Sequence, residues 1–198
     1  MIHSPGISDG EFIRGNIPMT KAEVRALVLC KAKIATDAMV IDIGAGTGSL
    51  SVEAALMAPQ GHVYAIEREP EGIALIEANS KKFKVENLTA ICGAAPKALD
   101  NLPQADTILI GGSGGSLPAI LENCDLLLKE TGRLVLTAIT LETVTNALSL
   151  LSQKNYEMEC FQMQVNRLKK VGSYHMFDAL NPIFVLTCWK KVKGGVKC

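Results

Sequence analysis

The stretch Val40–Leu50, VIDIGAGTGSL, constrains the fold of this chain more than any other. Residues 40–43 form a short run that is apolar except for Asp42, as in a strand buried on both faces of a parallel sheet. Glycine then occupies every second position from 44 to 48, and residues 49–57 resume with the dense apolar pattern of a buried helix. This order of strand, glycine turn and helix predicts a cofactor cradle, because a backbone that closely approaches a ligand cannot carry a Cβ there.

The spacing of the glycines separates two classes of cofactor. A dinucleotide site has the pattern G-x-G-x-x-G, with a pyrophosphate on the helix N-terminus. Here Gly48 comes one residue too early for that pattern, and Ser49 stands where it requires glycine. Asp42, shortly before the first glycine, would repel a pyrophosphate and suits a cationic ligand. The turn therefore favours a cofactor other than a dinucleotide.

A second carboxylate supports the cradle. Glu67 ends the strand-like run His62–Glu67. It follows the first glycine by about 20 residues, which is the separation at which a carboxylate binds a ribose diol. We therefore expect Glu67 to hold the sugar of a nucleoside-containing cofactor.

Composition limits the remaining choices. With 198 residues and 48% hydrophobic content the chain suits one domain, with residues 1–19 as a loop or lid and 20–198 as the core. The 20 basic and 20 acidic residues give no field for a nucleic acid. The six cysteines form no C-x-x-C pair and the three histidines have no metal spacing, so we expect neither disulfides nor a metal site. No leader-like segment and no run of about 20 apolar residues occurs, so we expect a cytoplasmic protein that has no membrane contact.

Apolar runs and helical patterns alternate along the chain. After the first strand, the predicted strands are His62–Glu67, Leu88–Cys92, Asp106–Ile110 and Gly132–Ala138. The predicted helices are Lys21–Ala32, Ser49–Met57, Pro70–Lys84, Ser116–Lys129 and Leu141–Gln153, the first opened by a capping box of Thr20 and Glu23. This alternation predicts an α/β fold with a Rossmann-like, doubly wound and mostly parallel sheet.

The end of the chain breaks the alternation. Two strand-like runs, Met158–Val165 and Ile183–Trp189, are joined by a long connection, 166–182, that has no helical pattern. They predict an antiparallel pair at the sheet edge, which gives seven strands with an antiparallel C-terminal edge strand. Long connections are disproportionately functional.

Ligands of such sheets bind beyond the carboxyl ends of the strands, where the strand order reverses. That rule places the glycine turn, Glu67, residues 94–96 and the loop 111–116 around one crevice. The loop reads GGSGGS and carries no acid, base or aromatic side chain. Its glycines leave room for a large flat substrate, and its amides, with the helix start at Ser116, form an anion-binding nest. A bulky acceptor with several carboxylates suits both features.

The pattern D-x-G-x-G-x-G resembles motif I of the class I S-adenosylmethionine-dependent methyltransferases. Nearly the whole chain resembles a narrower family, the decarboxylating precorrin C15-methyltransferases of cobalamin biosynthesis. The motifs that carry this resemblance are D-x-x-F-x-R at 9–14, P-M-T-K-x-E-V-R at 18–25, G-x-A-P at 93–96, I-G-G-S-G-G at 110–115, T-A-I-T-L-E-T at 137–143 and A-L-N-P at 179–182.

The resemblance implies methylation at C15 of a tetrapyrrole, cobalt-precorrin-6B, with loss of carbon dioxide from its C12 acetate. It implies S-adenosylmethionine as cofactor and a homo-oligomer, a tetramer in this family. The implied cofactor contacts are Thr20, Gly44, Ala45, Gly46, Thr47, Gly48, Glu67 and Ala95. The implied substrate contacts are Gly111, Gly112, Ser113, Gly114, Gly115 and Ser116.

Two positions depart from the family pattern. Ala94 stands where the family often has an acidic residue, so backbone groups near Ala95 would have to bind the adenine. Glu67 replaces the commoner aspartate, a change of one methylene group.

The catalytic residues stay open at this point. The candidates for carboxylate binding or proton transfer are Arg14, Lys21, Arg25, Arg167, Tyr174 and His175. Two alternatives to the precorrin reaction also stay open. One is a class I methyltransferase of another small molecule or of RNA, and the other is a cofactor-binding subunit whose partner supplies the chemistry.

Overall fold

The computed structural model describes residues 5–191, so the first four and last seven residues of the predicted domain lie outside the described residues. The helices are α1 (Ala22–Ala32), α2 (Ser49–Met57), α3 (Pro70–Phe83), α4 (Leu117–Leu127) and α5 (Leu141–Ser152). The strands are β1 (Met39–Ile43), β2 (His62–Glu67), β3 (Leu88–Cys92), β4 (Ala105–Ile110), β5 (Leu128–Ala138), β6 (Tyr156–Met163), β7 (Asn166–Val171), β8 (Tyr174–Ala179) and β9 (Ile183–Lys190). None of the helices in residues 5–191 has both the length and the apolar character needed to cross a membrane.

Seven strands form one sheet in the order β3-β2-β1-β4-β5-β9-β6. Strands β1 to β5 pair in parallel, whereas β9 runs antiparallel to both β5 and β6. The predicted doubly wound sheet and its antiparallel C-terminal pair are therefore confirmed, with β9 inserted between β5 and the edge strand β6. The chain leaves β1 toward β2 on one side and returns to β4 on the other. Hence the strand order reverses between β1 and β4.

Helices cover both faces of the sheet, because successive side chains of a strand point to opposite faces. Val40 of β1 packs in one buried cluster with Leu50 of α2 and with residues of α1. Its neighbour Ile41 packs in a second cluster with Ile120 of α4 and with residues of α5. Both side chains are fully buried. The apolar run that opens the glycine motif thus forms the centre of the core.

Several predicted helix boundaries differ from those of the structure, most of them by one residue. Helix α1 begins at Ala22 with Lys21 as its N-cap and has no side-chain cap. The predicted capping box is absent, since Thr20 lies one residue before the N-cap, and the carboxylate of Glu23 accepts hydrogen bonds from Arg167. Helix α4 ends at Leu127 rather than at Lys129, and the chain turns directly into β5.

The connection between β6 and β9 forms a separate two-stranded antiparallel hairpin, β7–β8. The sequence of residues 166–182 predicts a long connection with no helical pattern, and these two strands are an addition to that prediction. Leu168 faces Phe177 across the hairpin, and both side chains are largely exposed. This hairpin, which we call the arm, contacts the rest of the domain through Arg167, whose guanidinium donates hydrogen bonds to Glu23 and Asp9.

Candidate functional site

A cleft of about 810 Å³ opens at the carboxyl ends of β1 and β4, where the strand order reverses. Its volume lies within the range of about 300–1,000 Å³ that small-molecule sites occupy. The lining comes from several separate segments: residues 17–21, 43–46, 66–69, 93–95, 110–114, 136–140 and 180–181, with Val24, Ser116, Ile120, Thr143 and Ile183. The structure therefore brings the glycine turn, Glu67 and most of the glycine loop together.

The glycine turn forms the floor of the cleft between β1 and β2. The amides of Gly44 and Ala45 both donate to the carbonyl of Ile66, at 2.9 and 3.0 Å. Gly44 has a φ of +74°, and a Cβ built on it would lie 2.8 Å from the backbone nitrogen and oxygen of Gly112. The turn and the glycine loop therefore touch at a point that admits no side chain on Gly44.

Glu67 is buried beside the turn at the end of β2. Its Oε2 accepts the amide of Gly46 at 2.9 Å, and its Oε1 accepts the amides of Arg68 and Glu69 at 2.8 and 2.9 Å. These bonds fix the carboxylate and the backbone of residues 67–69 together. The carboxylate lines the cleft and retains acceptor capacity for a hydroxyl ligand.

The segment before α1 forms one side of the cleft through residues 17–20. Asn79 of α3, which is fully buried, holds this segment. Its Oδ1 accepts the amide of Ile13 at 2.8 Å, and its Nδ2 donates to the carbonyl of Thr47 at 2.9 Å. Sequence analysis missed Asn79, although an asparagine inside a predicted helix is a signal of a side chain bound to backbone.

The glycine loop follows β4. Gly111 donates its amide to the carbonyl of Ile43 at 2.9 Å, and Ser116 donates to Ser113 at 2.9 Å. Within residues 5–191, the amides of residues 112–115 have no backbone acceptor. These four amides are therefore available to the predicted anion nest. Of the loop, Gly115 alone does not line the cleft.

Two predicted cofactor residues do not reach the cleft. Thr47 is buried, and its carbonyl is bound by Asn79. Gly48 caps α2, and a Cβ on it would lie 2.8 Å from the side chain of Ile76. Both residues hold the turn against α3.

The candidate catalytic residues separate into two groups. Lys21 lines the cleft. The others do not. Arg14 is exposed elsewhere on the surface, Tyr174 and His175 are exposed on the hairpin, and Arg167 pairs with Glu23 and Asp9. Arg25 cannot serve as the predicted carboxylate-binding or proton-transfer residue of the cleft, because it is fully buried in ion pairs with Glu53 and Asp9.

Ionisable groups are few in the cleft. The charged residues that line it are Lys21, Glu67, Arg68 and Glu69, and the described lining includes no histidine, tyrosine, cysteine or aspartate. Sequence analysis missed Arg68 and Glu69, although both directly follow Glu67. In residues 5–191, no three side chains of the metal-binding types come together.

Asp42 lies beneath the turn rather than in the cleft. Its carboxylate is buried and accepts a hydrogen bond from the hydroxyl of Ser51. Burial raises the pKa of Asp42 to about 6, the Ser51 hydrogen bond opposes that rise, and the charge of Glu67 adds to it. The carboxylate is therefore mostly ionised at neutral pH, and any attraction to a cationic ligand acts at a distance.

Replacing Glu67 with glutamine is expected to weaken cofactor binding by about tenfold or more, since hydrogen bonds to charged groups contribute roughly 1.5–3 kcal/mol. The carboxylate of Glu67 accepts hydrogen bonds from three backbone amides. In glutamine an NH₂ group replaces one carboxylate oxygen, so a donor would face a donor at one of these positions. Calorimetric titration with S-adenosylhomocysteine measures the effect.

The matched control is Glu69→Gln, which changes a cleft-lining carboxylate whose contact is an exposed pair with Arg68. Its cofactor affinity should stay within about twofold of the wild type, because exposed ion pairs contribute little. Equal losses in the two variants would contradict the role of Glu67.

Comparison with known proteins agrees with this geometry. The family model described as precorrin methyltransferase domain matches residues 11–193. A protein of Sulfurisphaera tokodaii named as a probable cobalt-precorrin-6B C(15)-methyltransferase (decarboxylating) is 44% identical over 185 residues, covering 92% of this chain and 96% of that protein. The cobalt-precorrin-6B C(15)-methyltransferase (decarboxylating) of Salmonella typhimurium is 41% identical over 187 residues, covering 93% and 96%.

A solved structure gives the same result. The crystal structure of precorrin-6y C5,15-methyltransferase from Geobacter metallireducens superposes with a TM-score of 0.89 at 40% identity, covering 95% of this chain and all of that chain. Residues 11–193, which the family model matches, span the cleft lining, the glycine turn and the glycine loop. This chain belongs to the precorrin methyltransferase family.

Proposed function

We propose that this chain transfers a methyl group from S-adenosylmethionine to C15 of cobalt-precorrin-6B and releases carbon dioxide from the C12 acetate. One observation carries the proposal. Two relatives named for this reaction are 44% and 41% identical in sequence to this chain and cover 92% and 93% of it. The wide cleft at the switch point, with glycine on its acceptor side, supports it.

The residues of the cleft fit S-adenosylmethionine. The floor at Gly44 has no side chain, and a Cβ there would fill it. The fixed carboxylate of Glu67 suits a ribose diol. We assign the cofactor contacts to Thr20, residues 44–46, Glu67 and Ala95, and a supporting role to residues 47–48. When bound, the cofactor's sulfonium supplies an electrophilic methyl group.

The part of the cleft beside the glycine loop suits a large conjugated acceptor. Its walls include the apolar side chains of Ile120, Leu136 and Ile139, which would contact the faces and edges of a macrocycle. The free amides of residues 112–115 suit carboxylate groups. We assign the substrate contacts to residues 111–114 and Ser116, and to Gly115, which does not line the cleft, a supporting role in the loop.

The protons of the two reactions balance. Methylation at C15 releases one proton, and loss of carbon dioxide from an acetate side chain, which leaves a methyl group, consumes one. The described lining has no histidine, tyrosine, cysteine or aspartate, and we assign its ionisable side chains, Lys21, Glu67, Arg68 and Glu69, to binding and positioning. We therefore assign the electron sink to the protonated macrocycle. The contribution of the chain is to position the reactants and to exclude water.

The test is turnover by the purified protein. Cobalt-precorrin-6B and S-adenosylmethionine should give S-adenosylhomocysteine and a decarboxylated, methylated corrin, whereas a parallel reaction with RNA should give no transfer. Transfer to RNA alone would contradict the proposal. Cofactor binding without transfer to the tetrapyrrole would favour the alternative of a cofactor-binding subunit.

We also propose that the chain acts as a homotetramer in the cytoplasm, assembled through the β7–β8 hairpin. A two-stranded hairpin is marginally stable alone in water. Leu168, Phe177 and Tyr174 are respectively 63%, 76% and 75% exposed on this arm. Contact with a second copy would cover them and give the exposed strand edges a partner.

Replacing Phe177 with lysine is expected to shift the protein to a smaller oligomer, because a charge would then face the apolar contact. Light scattering on a sizing column measures the mass. Leu126→Lys on α4, where the leucine is equally exposed at 76%, is the control and should keep the wild-type mass. A wild type that is already monomeric would contradict the assembly.

A further inference from the structure

Two basic side chains that line the cleft have nitrogen atoms without a hydrogen-bond acceptor in the described chain. Lys21 and Arg68 are the basic residues of its described lining, and they belong to different segments of the chain. No hydrogen bond or ion pair of the Lys21 ammonium is found within residues 5–191. Arg68 uses its Nε for Glu69 at 3.1 Å, and its two terminal nitrogens have no hydrogen-bond acceptor in the described chain.

Other basic side chains near the cleft are already engaged in structural contacts. Arg25 is buried against Glu53 and Asp9, and Arg167 holds Glu23 and Asp9. A negatively charged ligand of the cleft therefore meets two available cations. Two carboxylates line the same cleft: Glu67 accepts hydrogen bonds from three backbone amides, and Glu69 pairs with Arg68 through Nε alone, which leaves the terminal guanidinium nitrogens free.

The position of Arg68 follows from its neighbours. Glu67 holds the amide of Arg68 at 2.8 Å, which fixes where the side chain leaves the backbone. The Nη1 atom then lies 2.9 Å from the place where a Cβ of Gly114 would stand. The guanidinium thus occupies the space that a side chain in the glycine loop would fill, next to the free amides of residues 112–115.

The negative charge of Glu67 and the positive charge of Arg68 lie on different sides of the cleft. Glu67 directs its carboxylate toward the glycine turn, and the adjacent Arg68 directs its guanidinium toward the glycine loop. A guanidinium binds a carboxylate through two parallel hydrogen bonds, and backbone amides add further donors. The free donors near the glycine loop are the backbone amides of residues 112–115 and the terminal nitrogens of Arg68, and each can bind a carboxylate oxygen.

We infer that Arg68 and Lys21 are the carboxylate-binding residues of this cleft, and that they select an acceptor carrying several carboxylate side chains. The inference rests on the proposed function and deepens it by naming the residues that bind the carboxylates of the acceptor. Arg68 and the loop amides bind one carboxylate together, and Lys21 binds another from the segment before α1.

The test is binding of a tetrapyrrole to the protein loaded with S-adenosylhomocysteine, followed by porphyrin fluorescence. The probes are uroporphyrin, with eight carboxylates, and mesoporphyrin, with two. The wild type should bind uroporphyrin more tightly. Arg68→Ala and Lys21→Ala should each raise its dissociation constant by about tenfold or more, with a much smaller change for mesoporphyrin. The dissociation constant of Arg68→Lys for uroporphyrin should lie between those of Arg68→Ala and the wild type. Lysine keeps the positive charge but cannot form the two parallel hydrogen bonds of a guanidinium.

Lys81→Ala, at an exposed lysine on α3 outside the cleft lining, is the control for loss of charge alone and should bind both probes as the wild type does. Binding of S-adenosylhomocysteine should be unchanged in all variants. Arg68 is 60% exposed, so its variants should fold, and melting temperatures verify this. Equal uroporphyrin affinity in Arg68→Ala and Lys81→Ala would overturn the inference. So would parallel losses for both porphyrins and the cofactor, which indicate a structural role.

The outcome is separate from that of the proposed function. A wild type that selects uroporphyrin through Arg68 and Lys21, yet does not convert cobalt-precorrin-6B, would refute the proposed reaction and uphold the carboxylate site. Conversion with the same KM in the wild type and in Arg68→Ala would refute the role of Arg68 and uphold the reaction.

Discussion

Replacing Gly44 with alanine is expected to lower cofactor affinity by about 100-fold or more and to reduce turnover in proportion. The new Cβ would lie 2.8 Å from the backbone nitrogen and oxygen of Gly112, so the turn and the glycine loop must separate. The φ of +74° adds strain of about 1–2 kcal/mol for a residue that carries a Cβ. Calorimetric titration with S-adenosylhomocysteine and a thermal melt measure the two effects.

Gly112→Ala is the matched control on the other side of the same contact. A Cβ on Gly112 would meet no atom within 4 Å, so this variant should melt like the wild type and bind S-adenosylhomocysteine equally well. Wild-type cofactor affinity in Gly44→Ala would contradict the assignment of the turn as the floor of the cofactor site.

Replacing Arg25 with methionine is expected to cost about 3–5 kcal/mol of folding free energy, because the guanidinium is a fully buried member of an ion-pair network. Its Nε bonds Glu53 at 2.7 Å and its Nη1 bonds Asp9 at 3.1 Å. It also donates to the carbonyls of Ile7 and Thr20. For a chain of this size the melting temperature should fall by roughly 6–20 °C.

Lys31→Met is the control, because Lys31 and Glu159 form a partly exposed pair. It should cost no more than about 1 kcal/mol. Similar losses of stability in the two variants would contradict the structural role of Arg25.

The network also predicts the pH dependence of the Arg25 effect. Burial opposes ionisation of Asp9, but hydrogen bonds from Arg167 and Arg25 outweigh it and hold the pKa of Asp9 below its usual value. Stabilisation by Asp9 is therefore present above the unfolded-state pKa of about 3.9, and it is lost as the pH falls through the lower folded-state value. Urea unfolding at several pH values should show the cost of Arg25→Met shrinking below about pH 4.

Local patterns were sufficient to predict the centre of the site. The glycines at 44–48 demand a particular backbone, and Glu67 follows at a distance set by one βα unit. The alternation of strands and helices then implies a switch point and a crevice above it. The parts of the site that depend on backbone geometry within a short stretch were therefore predictable.

Contacts between distant residues were not predictable in the same way. The sequence offers Arg25 as a candidate for carboxylate binding or proton transfer, but Asp9 and Glu53, from separate segments, pair with it in the fold. Glu23 reads as part of a capping box, but Arg167, far along the chain, binds its carboxylate. Such pairings depend on tertiary packing, which local propensity does not report.

The β7–β8 hairpin had a signal that the sequence analysis missed. Gly172 and Ser173 form a two-residue connection between β7 and β8, and Gly172 has a φ of +62°. Glycine at the start of a two-residue connection is typical of a tight hairpin turn. The flanking residues lack a clean polar and apolar alternation, since apolar side chains lie on both faces of the arm.

The most direct test of the account is the mass of the corrin product after incubation of cobalt-precorrin-6B with the wild-type protein and S-adenosylmethionine carrying a deuterated methyl group. The account predicts a product that gains one deuterated methyl in place of a hydrogen and loses one carbon dioxide, with both changes in the same molecule. An unchanged corrin mass in the presence of protein that binds the cofactor would contradict it.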